Sequence, residues 1–252
     1  MIRRAALVLA LASPAMAEET IVAGLSQNMV SITTDFTGSQ VLVYGAVKRD
    51  APEPSGSSLE IVVTVEGPSG PVTVRRKSRR YGIWMNTAAA TITRAPTFYA
   101  IASSAPLEQA LSATDNLRYQ ITIPRAIRAV GVASAVSDAP DFLNALIRLR
   151  AAEGRYDIAE DKVEVVEETL FRADFDLPAD LVEGDYRVRM FLTRNGAVVD
   201  QHEETIRVTK AGLERWINAL SKDQPLVYGL LALALAVLAG WGASAAFSVR
   251  RR

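Results

Sequence analysis

The chain of 252 residues contains no cysteine and a single histidine. The lack of cysteine excludes a disulfide framework, a thiol nucleophile and every metal site built on thiolate ligands. A metal site at His202 would need further ligands, and a catalytic triad would need an oriented nucleophile beside it. His202 precedes Glu203 and Glu204 in a predicted strand, where it could share one face with Glu204. We expect a solvent-exposed strand residue.

The motifs that mark common enzyme classes are also missing. The sequence has no P-loop, no GxSxG motif and no dinucleotide-binding fingerprint. Residues 157–168 hold six carboxylates, but their spacing differs from that of an EF-hand loop, so we expect a solvated acidic edge rather than a calcium site. No catalytic residue, metal or cofactor is therefore predicted, and we expect the protein not to be an enzyme.

The charges are balanced overall but unevenly distributed. The formal net charge is zero, from 28 basic and 28 acidic residues. Five of the basic residues lie at the two ends of the chain, which leaves the part between them with a net charge of about −5. Nucleic-acid binding requires a basic footprint. The sequence therefore predicts no nucleic-acid partner.

The N-terminus has the pattern of a secretory signal peptide. Two arginines precede a short apolar run, and the small residues Ala15 and Ala17 flank Met16 as signal peptidase requires. We predict a signal peptide over residues 1–17, with cleavage before Glu18. Residues 18–209 are then expected to fold outside the cytoplasm, in the periplasm.

The C-terminus has the pattern of a membrane anchor. Residues 226–249 contain no charged side chain and would extend about 36 Å as a helix, against roughly 30 Å for the hydrocarbon core. We predict one transmembrane helix over residues 225–249 and a cytoplasmic basic tail over 250–252. The expected protein is a single-pass protein of the bacterial inner membrane, in contact with the lipid bilayer.

Small residues recur every fourth position within this predicted helix. Such a face allows another helix to approach closely. We therefore predict a helix-packing face for a polytopic permease, although alanine is also simply common in apolar helices. The face consists of Ala232, Ala236, Gly240 and Ser244.

Residues 210–223 show an amphipathic pattern, with apolar side chains at i, i+3, i+4 and i+7. The pattern predicts a juxtamembrane helix at the membrane surface, with Trp216 among the lipid headgroups. A terminal helix docked on the folded domain remains an alternative.

Between the two ends, the sequence predicts a mainly β protein. Runs rich in β-branched residues at 40–48, 59–66, 71–77, 162–176, 184–194 and 197–209 predict strands. Residues 67–70 predict a hairpin between their neighbouring strands, and Asn195-Gly196 predicts another. Helical spacing over 139–153 places a helix, ended by Gly154, inside a helical insert at about 106–154.

The segment around Tyr186 resembles the tyrosine corner of immunoglobulin-like sandwiches. We therefore predict a fold class of mainly β, an immunoglobulin-like β-sandwich with a helical insert, followed by one C-terminal transmembrane helix. Two separate small domains remain an alternative to a single sandwich with an insert.

The most unusual segment carries five cations within six residues. These are Arg75, Arg76, Lys77, Arg79 and Arg80, followed closely by Trp84. One interpretation is a solvated hairpin whose charges pair with the acidic residues of 157–168. The others are an anionic small molecule, lipid headgroups or an acidic partner surface, because arginine binds oxyanions in bidentate fashion. We treat the six residues as a candidate anion or partner contact.

Eight short segments, taken in order, resemble the alphaproteobacterial putative transmembrane protein family. They are IVAGLS at 21–26, FTGS at 36–39, GP at 67–68, VRRK at 74–77, GIWMN at 82–86, FYA at 98–100, LFR at 170–172 and YGL at 228–230. That family has no established activity. Because its members tend to be encoded near permeases of the sulfite or organosulfonate exporter type, the resemblance implies an accessory role beside such a transporter.

Two functions are therefore expected. The first is a non-enzymatic, membrane-anchored periplasmic accessory protein that partners an exporter permease. The alternative is an envelope module that binds or senses an anion through the basic hairpin. The two expectations place the functional surface at different parts of the chain, the C-terminal helix and the cationic run.

Overall fold

The computed structural model describes residues 19–33, 36–49, 58–127, 139–210, 220–222 and 224–249. The first seven strands precede the helices. They are β1 (Glu19–Leu25), β2 (Met29–Ile32), β3 (Ser39–Arg49), β4 (Leu59–Glu66), β5 (Ser69–Arg80), β6 (Ile83–Pro96) and β7 (Tyr99–Ser103). The helices that follow are α1 (Leu107–Ala110), α2 (Ala113–Tyr119), α3 (Ile123–Ala126) and α4 (Ala139–Ala152). The remaining elements are β8 (Tyr156–Ala159), β9 (Glu164–Val166), β10 (Leu170–Leu177), β11 (Gly184–Arg194), β12 (Ala197–Lys210) and helix α5 (Pro225–Val249).

Two sheets form a sandwich. Sheet A has the strand order β1-β3-β10-β9, and sheet B has the order β2-β12-β11-β4-β7-β8. The chain passes from sheet A to sheet B between β1 and β2, and β2 pairs in parallel with β12. The order β1-β3-β10-β9 matches one sheet of an immunoglobulin-like sandwich, and the neighbouring strands β12, β11 and β4 match the other. The described part of the chain is therefore mainly β, as the sequence predicts.

The main hydrophobic core lies between the two sheets. Strand β10 shows the alternation that such packing requires, with Phe171, Ala173 and Phe175 buried and the residues between them exposed. Tyr186 at the start of β11 is buried and donates a hydrogen bond of 3.0 Å from its hydroxyl to the carbonyl of Val182. This contact is the tyrosine corner that the sequence around Tyr186 predicts.

A second hydrophobic core covers the outer face of sheet B. Val62, Tyr99 and Phe191 point away from the sandwich and pack against the helices and the root of the β5-β6 hairpin. Sheet B is therefore covered on both faces, which explains why β4 is buried at every position from Ile61 to Glu66 rather than at alternate ones. This second layer fixes the positions of the helices and of the hairpin.

The hairpin predicted at residues 67–70 is wrong. Strand β4 pairs with β7 and β11 on its two edges, whereas β5 pairs with β6 in a separate two-stranded sheet. Because both edges of β4 are occupied, the chain leaves sheet B at Gly67. There an added Cβ would lie 2.9 Å from side-chain atoms of Thr97 and Tyr186. Residues 67 and 68 connect β4 to β5, and Ser69 and Gly70 already belong to β5.

The predicted C-terminal transmembrane helix is also wrong. Among the described residues, no helix combines the length and the apolar character that crossing a membrane requires.

Three predictions for the ends of the chain lie wholly or largely outside the described residues. They concern the signal peptide at 1–17, the juxtamembrane helix at 210–223 and the basic tail at 250–252. At the start of the second of these segments, Lys210 belongs to β12.

Candidate functional site

Strands β5 and β6 form a long hairpin whose root is fixed in the second core. Val74 of β5 and Ala90, Ile92 and Ala95 of β6 are buried there, against the helices and sheet B. Beyond Val74 and Ala90, no described side chain of the hairpin is buried. Six further residues in β5 extend about 20 Å at roughly 3.3 Å per residue. The distal hairpin therefore projects from the body of the protein.

The hairpin closes through a two-residue turn at Tyr81-Gly82. Both residues have positive φ angles, 51° and 80°, as a type I′ turn requires. Glycine adopts this conformation easily, whereas tyrosine rarely does. The side chain of Tyr81 is fully exposed at the outermost point of the hairpin. The local geometry thus places an aromatic ring at the end of the ribbon at some conformational cost.

Large apolar side chains are concentrated at this end. Ile83 is 69% exposed, Trp84 67% and Met85 49%, and together with Tyr81 they form what we call the apolar tip. Apolar residues in such a group, standing free of the rest of the chain, mark an interaction surface more often than a solvated loop. Of these four residues, only Trp84 is among the contact residues that the sequence predicts.

The cations lie directly behind the apolar tip. Arg79 is paired in register with Trp84, and Arg80 with Ile83, so each outermost cation sits across the ribbon from a tip residue. We call the five cations of β5 the basic stem, which consists of Arg75, Arg76, Lys77, Arg79 and Arg80. All five are exposed. The structure therefore brings all six predicted contact residues onto one projecting ribbon.

If the hairpin were a solvated one, as one interpretation of the sequence has it, the cations of the basic stem would pair with the acidic residues of 157–168. The described contacts differ from that expectation. Within the part of the chain that the structure describes, Arg75, Lys77, Arg79 and Arg80 form no salt bridge. Arg79 Nε instead donates to the carbonyl of Gly82 at 3.3 Å. In the acidic segment, Glu164 pairs with Arg172 at 3.4 Å.

The inner end of the basic stem borders a groove against helix α4. The guanidinium carbon of Arg76 lies 5.6 Å from the centre of the Phe142 ring, a cation–π contact that holds the stem against the helix. The groove has a volume of about 450 Å³. Its polar lining comprises Arg75, Arg76, Asp141, Asn144 and Arg148, and its apolar lining comprises Val74, Phe142, Ala145 and Leu149.

The predicted helix-packing face lies on α5. Ala232, Ala236 and Gly240 are all exposed there, and an added Cβ at Gly240 would meet no atom within 4 Å. Ser244 also lies in this helix, but its side chain is outside the described part. The large apolar residues of α5 are exposed too, from Leu226 at 84% to Trp241 at 73%. Helix α5 thus presents an apolar surface that its own chain leaves open.

His202 lies in β12, partly exposed, with its Nε2 atom 3.3 Å from a carboxylate oxygen of Glu204. The two side chains share one face of the strand, as their spacing predicts. The described residues contain no group of three potential metal ligands among His, Asp and Glu.

Sequence reasoning missed a buried carboxylate at the end of β4, which two partly exposed arginines pair with. Glu66 is 5% exposed and accepts hydrogen bonds from Arg187 at 2.6 Å, Arg94 at 3.3 Å and Ser69 at 3.2 Å. Burial lowers the pKa of Arg187, but the hydrogen bond and charge of Glu66 raise it more, so the net shift is upward. No motif distinguishes these residues from solvated charges, because their burial depends on strands distant in sequence.

A buried cation, Arg189, connects sheet B to the helical layer. It donates to the carbonyl of Tyr119 at 2.7 Å and to the hydroxyl of Tyr99 at 3.1 Å. Burial raises the pKa of Tyr99, and the charge of Arg189 partly opposes that rise. Tyr99 in turn donates to the carbonyl of Ile121 at 2.7 Å. These contacts satisfy carbonyls at the end of α2, which gives Arg189 a structural role.

Comparison with known proteins identifies one family. The family described as "Putative transmembrane protein (Alph_Pro_TM)" matches residues 20–249. No curated protein matches this sequence. Among solved structures, the crystal structure of Spo0M, a sporulation control protein from Bacillus subtilis, matches at 11% sequence identity with a TM-score of 0.29. That match covers 81% of this chain and 55% of the Spo0M chain, so the present chain spans about half the length of Spo0M.

Proposed function

Because this chain belongs to the family described as "Putative transmembrane protein (Alph_Pro_TM)", we propose that it is a non-enzymatic accessory protein of the bacterial inner membrane. Its sandwich lies on the periplasmic side, and its partner is a polytopic permease of the sulfite or organosulfonate exporter type. The observation that supports this proposal is the exposure of the apolar helix α5 along its described length. An apolar surface of this size requires a partner.

The distribution of small residues favours a helical partner. Ala232, Ala236 and Gly240 recur every fourth residue and therefore lie along one side of α5. Small side chains permit close contact between helix backbones, and van der Waals packing then supplies the attraction. A polytopic permease offers helices of matching apolar character. In this account α5 holds the complex together, and the sandwich is presented to the periplasm.

Co-purification from native membranes tests the proposal. Tagged full-length protein is extracted in mild detergent, and the proteins that accompany it are identified by mass spectrometry. We expect a polytopic permease in near-stoichiometric amount. Replacing both Ala236 and Gly240 by leucine would separate the two backbones and should remove the permease from the purified sample.

The control variant carries Val227→Leu and Val237→Leu, which enlarge residues on other sides of α5. It should retain the permease. If no membrane protein accompanies the wild type, or if both double variants behave alike, the proposed role fails.

The groove beside α4 favours a second candidate function, the binding or sensing of an anion. Arg75, Arg76 and Arg148 all contribute to its lining. Guanidinium groups bind oxyanions with paired hydrogen bonds, and three of them around one groove outnumber the single carboxylate of Asp141. The groove is open to solvent and of a size suited to a small molecule.

Calorimetry of the full-length protein in detergent tests this second function. Sulfite, sulfate, phosphate and taurine are titrated at low salt, and one of them should release or absorb heat. Arg148→Ala should weaken that binding at least tenfold, whereas Arg118→Ala, which changes an arginine on helix α2 outside the groove, should leave it unchanged. Absence of heat with all four compounds would exclude this candidate.

A further inference from the structure

The distal hairpin, residues 77–86, presents its side chains on both faces of a two-stranded ribbon. Ile83 and Trp84 are neighbours along β6, and neighbouring residues of a strand point to opposite faces. Each is about two-thirds exposed. The cations divide in the same way, because Arg80 is paired with Ile83 and Arg79 with Trp84. Each face therefore carries an apolar residue at the end and a cation across from it.

The order of residues along the ribbon is equally regular. Tyr81 stands at the outermost point, the apolar residues Ile83, Trp84 and Met85 follow, and cations occupy the positions alongside and behind them. This order matches the profile of a bilayer surface, which passes from hydrocarbon through the interface to charged headgroups. Tryptophan and tyrosine favour that interface, and arginine and lysine favour anionic headgroups.

We propose that the distal hairpin is a lipid-binding element. The apolar tip enters the surface of an anionic phospholipid bilayer, and the basic stem contacts the headgroup phosphates. Arg79 and Arg80 lie level with the tip residues and bind phosphates first, while Lys77 lies further back. The hairpin projects about 20 Å beyond its buried root, at roughly 3.3 Å per residue, so it reaches the bilayer without burying the sandwich.

A bilayer fits this surface better than a folded protein does. A flat protein surface would cover one face of the ribbon and leave either Ile83 or Trp84 in water. A bilayer entered from above surrounds the end of the ribbon and covers both faces together. The same holds for the cations, since headgroups are available on every side. The membrane association of the family places a bilayer within reach.

This inference is independent of the permease partner, so its test uses vesicles that contain no other protein. The chain has no cysteine, and a single introduced cysteine can therefore carry a fluorophore whose emission reports the polarity around it. Full-length protein labelled at Ile83→Cys is compared with protein labelled at Thr91→Cys. Thr91 is an exposed residue of β6 near the buried root, about 26 Å from the tip at roughly 3.3 Å per residue.

Vesicles of phosphatidylcholine with phosphatidylglycerol should shift the emission at position 83 to shorter wavelength and make it sensitive to brominated lipid. The label at position 91 should show neither effect. Vesicles of phosphatidylcholine alone should give a weaker response at position 83. Replacing both Arg79 and Arg80 by glutamine should weaken binding to the anionic vesicles by roughly fivefold for each cation removed. These stem residues have no buried side chain, so the variant should unfold at the same temperature as the wild type.

Two results would overturn the inference. The first is identical, water-like emission at positions 83 and 91 with anionic vesicles. The second is a response at position 83 that occurs only in native membranes, since the surface would then bind a protein. Loss of the permease in co-purification would leave the vesicle result unchanged, so the two proposals fail separately.

Discussion

At the scale of single residues, the stability of the sandwich depends on buried carboxylates paired with arginine. Glu19, the first residue of β1, accepts hydrogen bonds from Arg194 at 2.6 and 3.1 Å and from Arg49 at 3.1 Å. Its side chain is 6% exposed. These contacts connect the first strand of sheet A to the end of β11 in sheet B. A buried ion pair stabilises the fold only while all of its partners are present, because removing one of them leaves an uncompensated charge at a buried site.

Glu19→Gln should lower the free energy of unfolding by about 3 kcal/mol, because two arginines would lose the charge of this carboxylate at a largely buried site. Urea unfolding of the full-length protein in detergent measures this. The control is Asp185→Asn, which removes a partner of Arg207 where both side chains are more than 60% exposed. That change should cost less than about 0.5 kcal/mol. Equal losses in the two variants would contradict the account.

Tyr156 provides a test of burial through pH. Its hydroxyl donates to the carbonyl of Pro96 at 2.8 Å, and burial raises its pKa to about 12 from the ordinary 10.0. Between these values the unfolded chain has released the proton and the folded chain still holds it. The stabilisation is therefore complete below pH 10 and declines as the pH rises toward 12.

Wild-type protein should lose stability across that window more steeply than Tyr156→Phe, by up to about 1.4 kcal/mol for each pH unit. Near pH 8 the variant should be the less stable of the two by about 1 kcal/mol, because it lacks the hydrogen bond. Urea midpoints recorded at a series of pH values give both quantities. Parallel curves for the two proteins would show that the Tyr156 pKa is not raised.

At the scale of elements, sheet A depends on a close approach at Gly45. This residue lies in β3 opposite Phe171 of β10. A Cβ at position 45 would lie 2.6 Å from the Phe171 ring and 2.8 Å from the carbonyl oxygen of Val22. The second of these atoms belongs to the backbone and cannot move without disturbing β1. Glycine is therefore required at this point of the sheet.

Gly45→Ala should destabilise the protein by about 1 to 3 kcal/mol through overpacking. Gly70→Ala serves as the matched control, since an added Cβ at that position meets no atom within 4 Å. Thermal unfolding of the two variants should differ by several degrees. A neutral Gly45→Ala would mean that β3 and β10 lie further apart than described.

Elements with local signals were predictable from the sequence. Strands 59–66 and 184–194 have the predicted bounds, and Asn195-Gly196 forms the turn between β11 and β12 with φ angles of 50° and 80°. Strand partners were not predictable, since the pairing of β5 with β6 depends on the occupied edges of β4. The segment predicted as one strand at 162–176 divides into β9 and β10. Glu167 and Glu168 have positive φ angles there, which their side chains do not favour.

The candidate site was predictable only in part, because it also depends on contacts between residues that are distant in sequence. A run of cations is visible in any sequence, and so the basic stem was found. The apolar tip depends on how β6 turns back, which places Ile83 and Trp84 beside Arg80 and Arg79. The groove depends on α4 packing against the stem through Phe142 and Arg76, a contact across more than sixty positions.

At the scale of the whole molecule, the hydrophobic cores and the two proposed binding elements are separate. Both hydrophobic cores lie within the sandwich and its helical layer. The distal hairpin and helix α5 contribute no buried side chain in their described parts. The sequence between the two ends has a net charge of about −5, yet its strongest cationic cluster lies on the hairpin. The protein is therefore a folded body that carries two elements whose described side chains lie outside both cores.

Shortening the hairpin tests this separation. Residues 77–87 are replaced by Asn-Gly, which joins the paired residues Arg76 and Ala88 through a type I′ turn. Because the removed segment has no buried side chain, the unfolding temperature should change by less than a few degrees. The preference for anionic over neutral vesicles should disappear, because the cations that contact the headgroups are removed. A large loss of stability would instead give the hairpin a role in the fold.

The proposed role of the protein is that of a non-catalytic partner of a membrane permease, bound through the small-residue side of α5. Photo-crosslinking in living cells tests it most directly, with a photoreactive residue placed at Ala236 in one strain and at Val237 in another. The account predicts one discrete product from position 236 that contains a polytopic permease, and little or none from position 237. Absence of a product at position 236, or equal products at both positions, would contradict it.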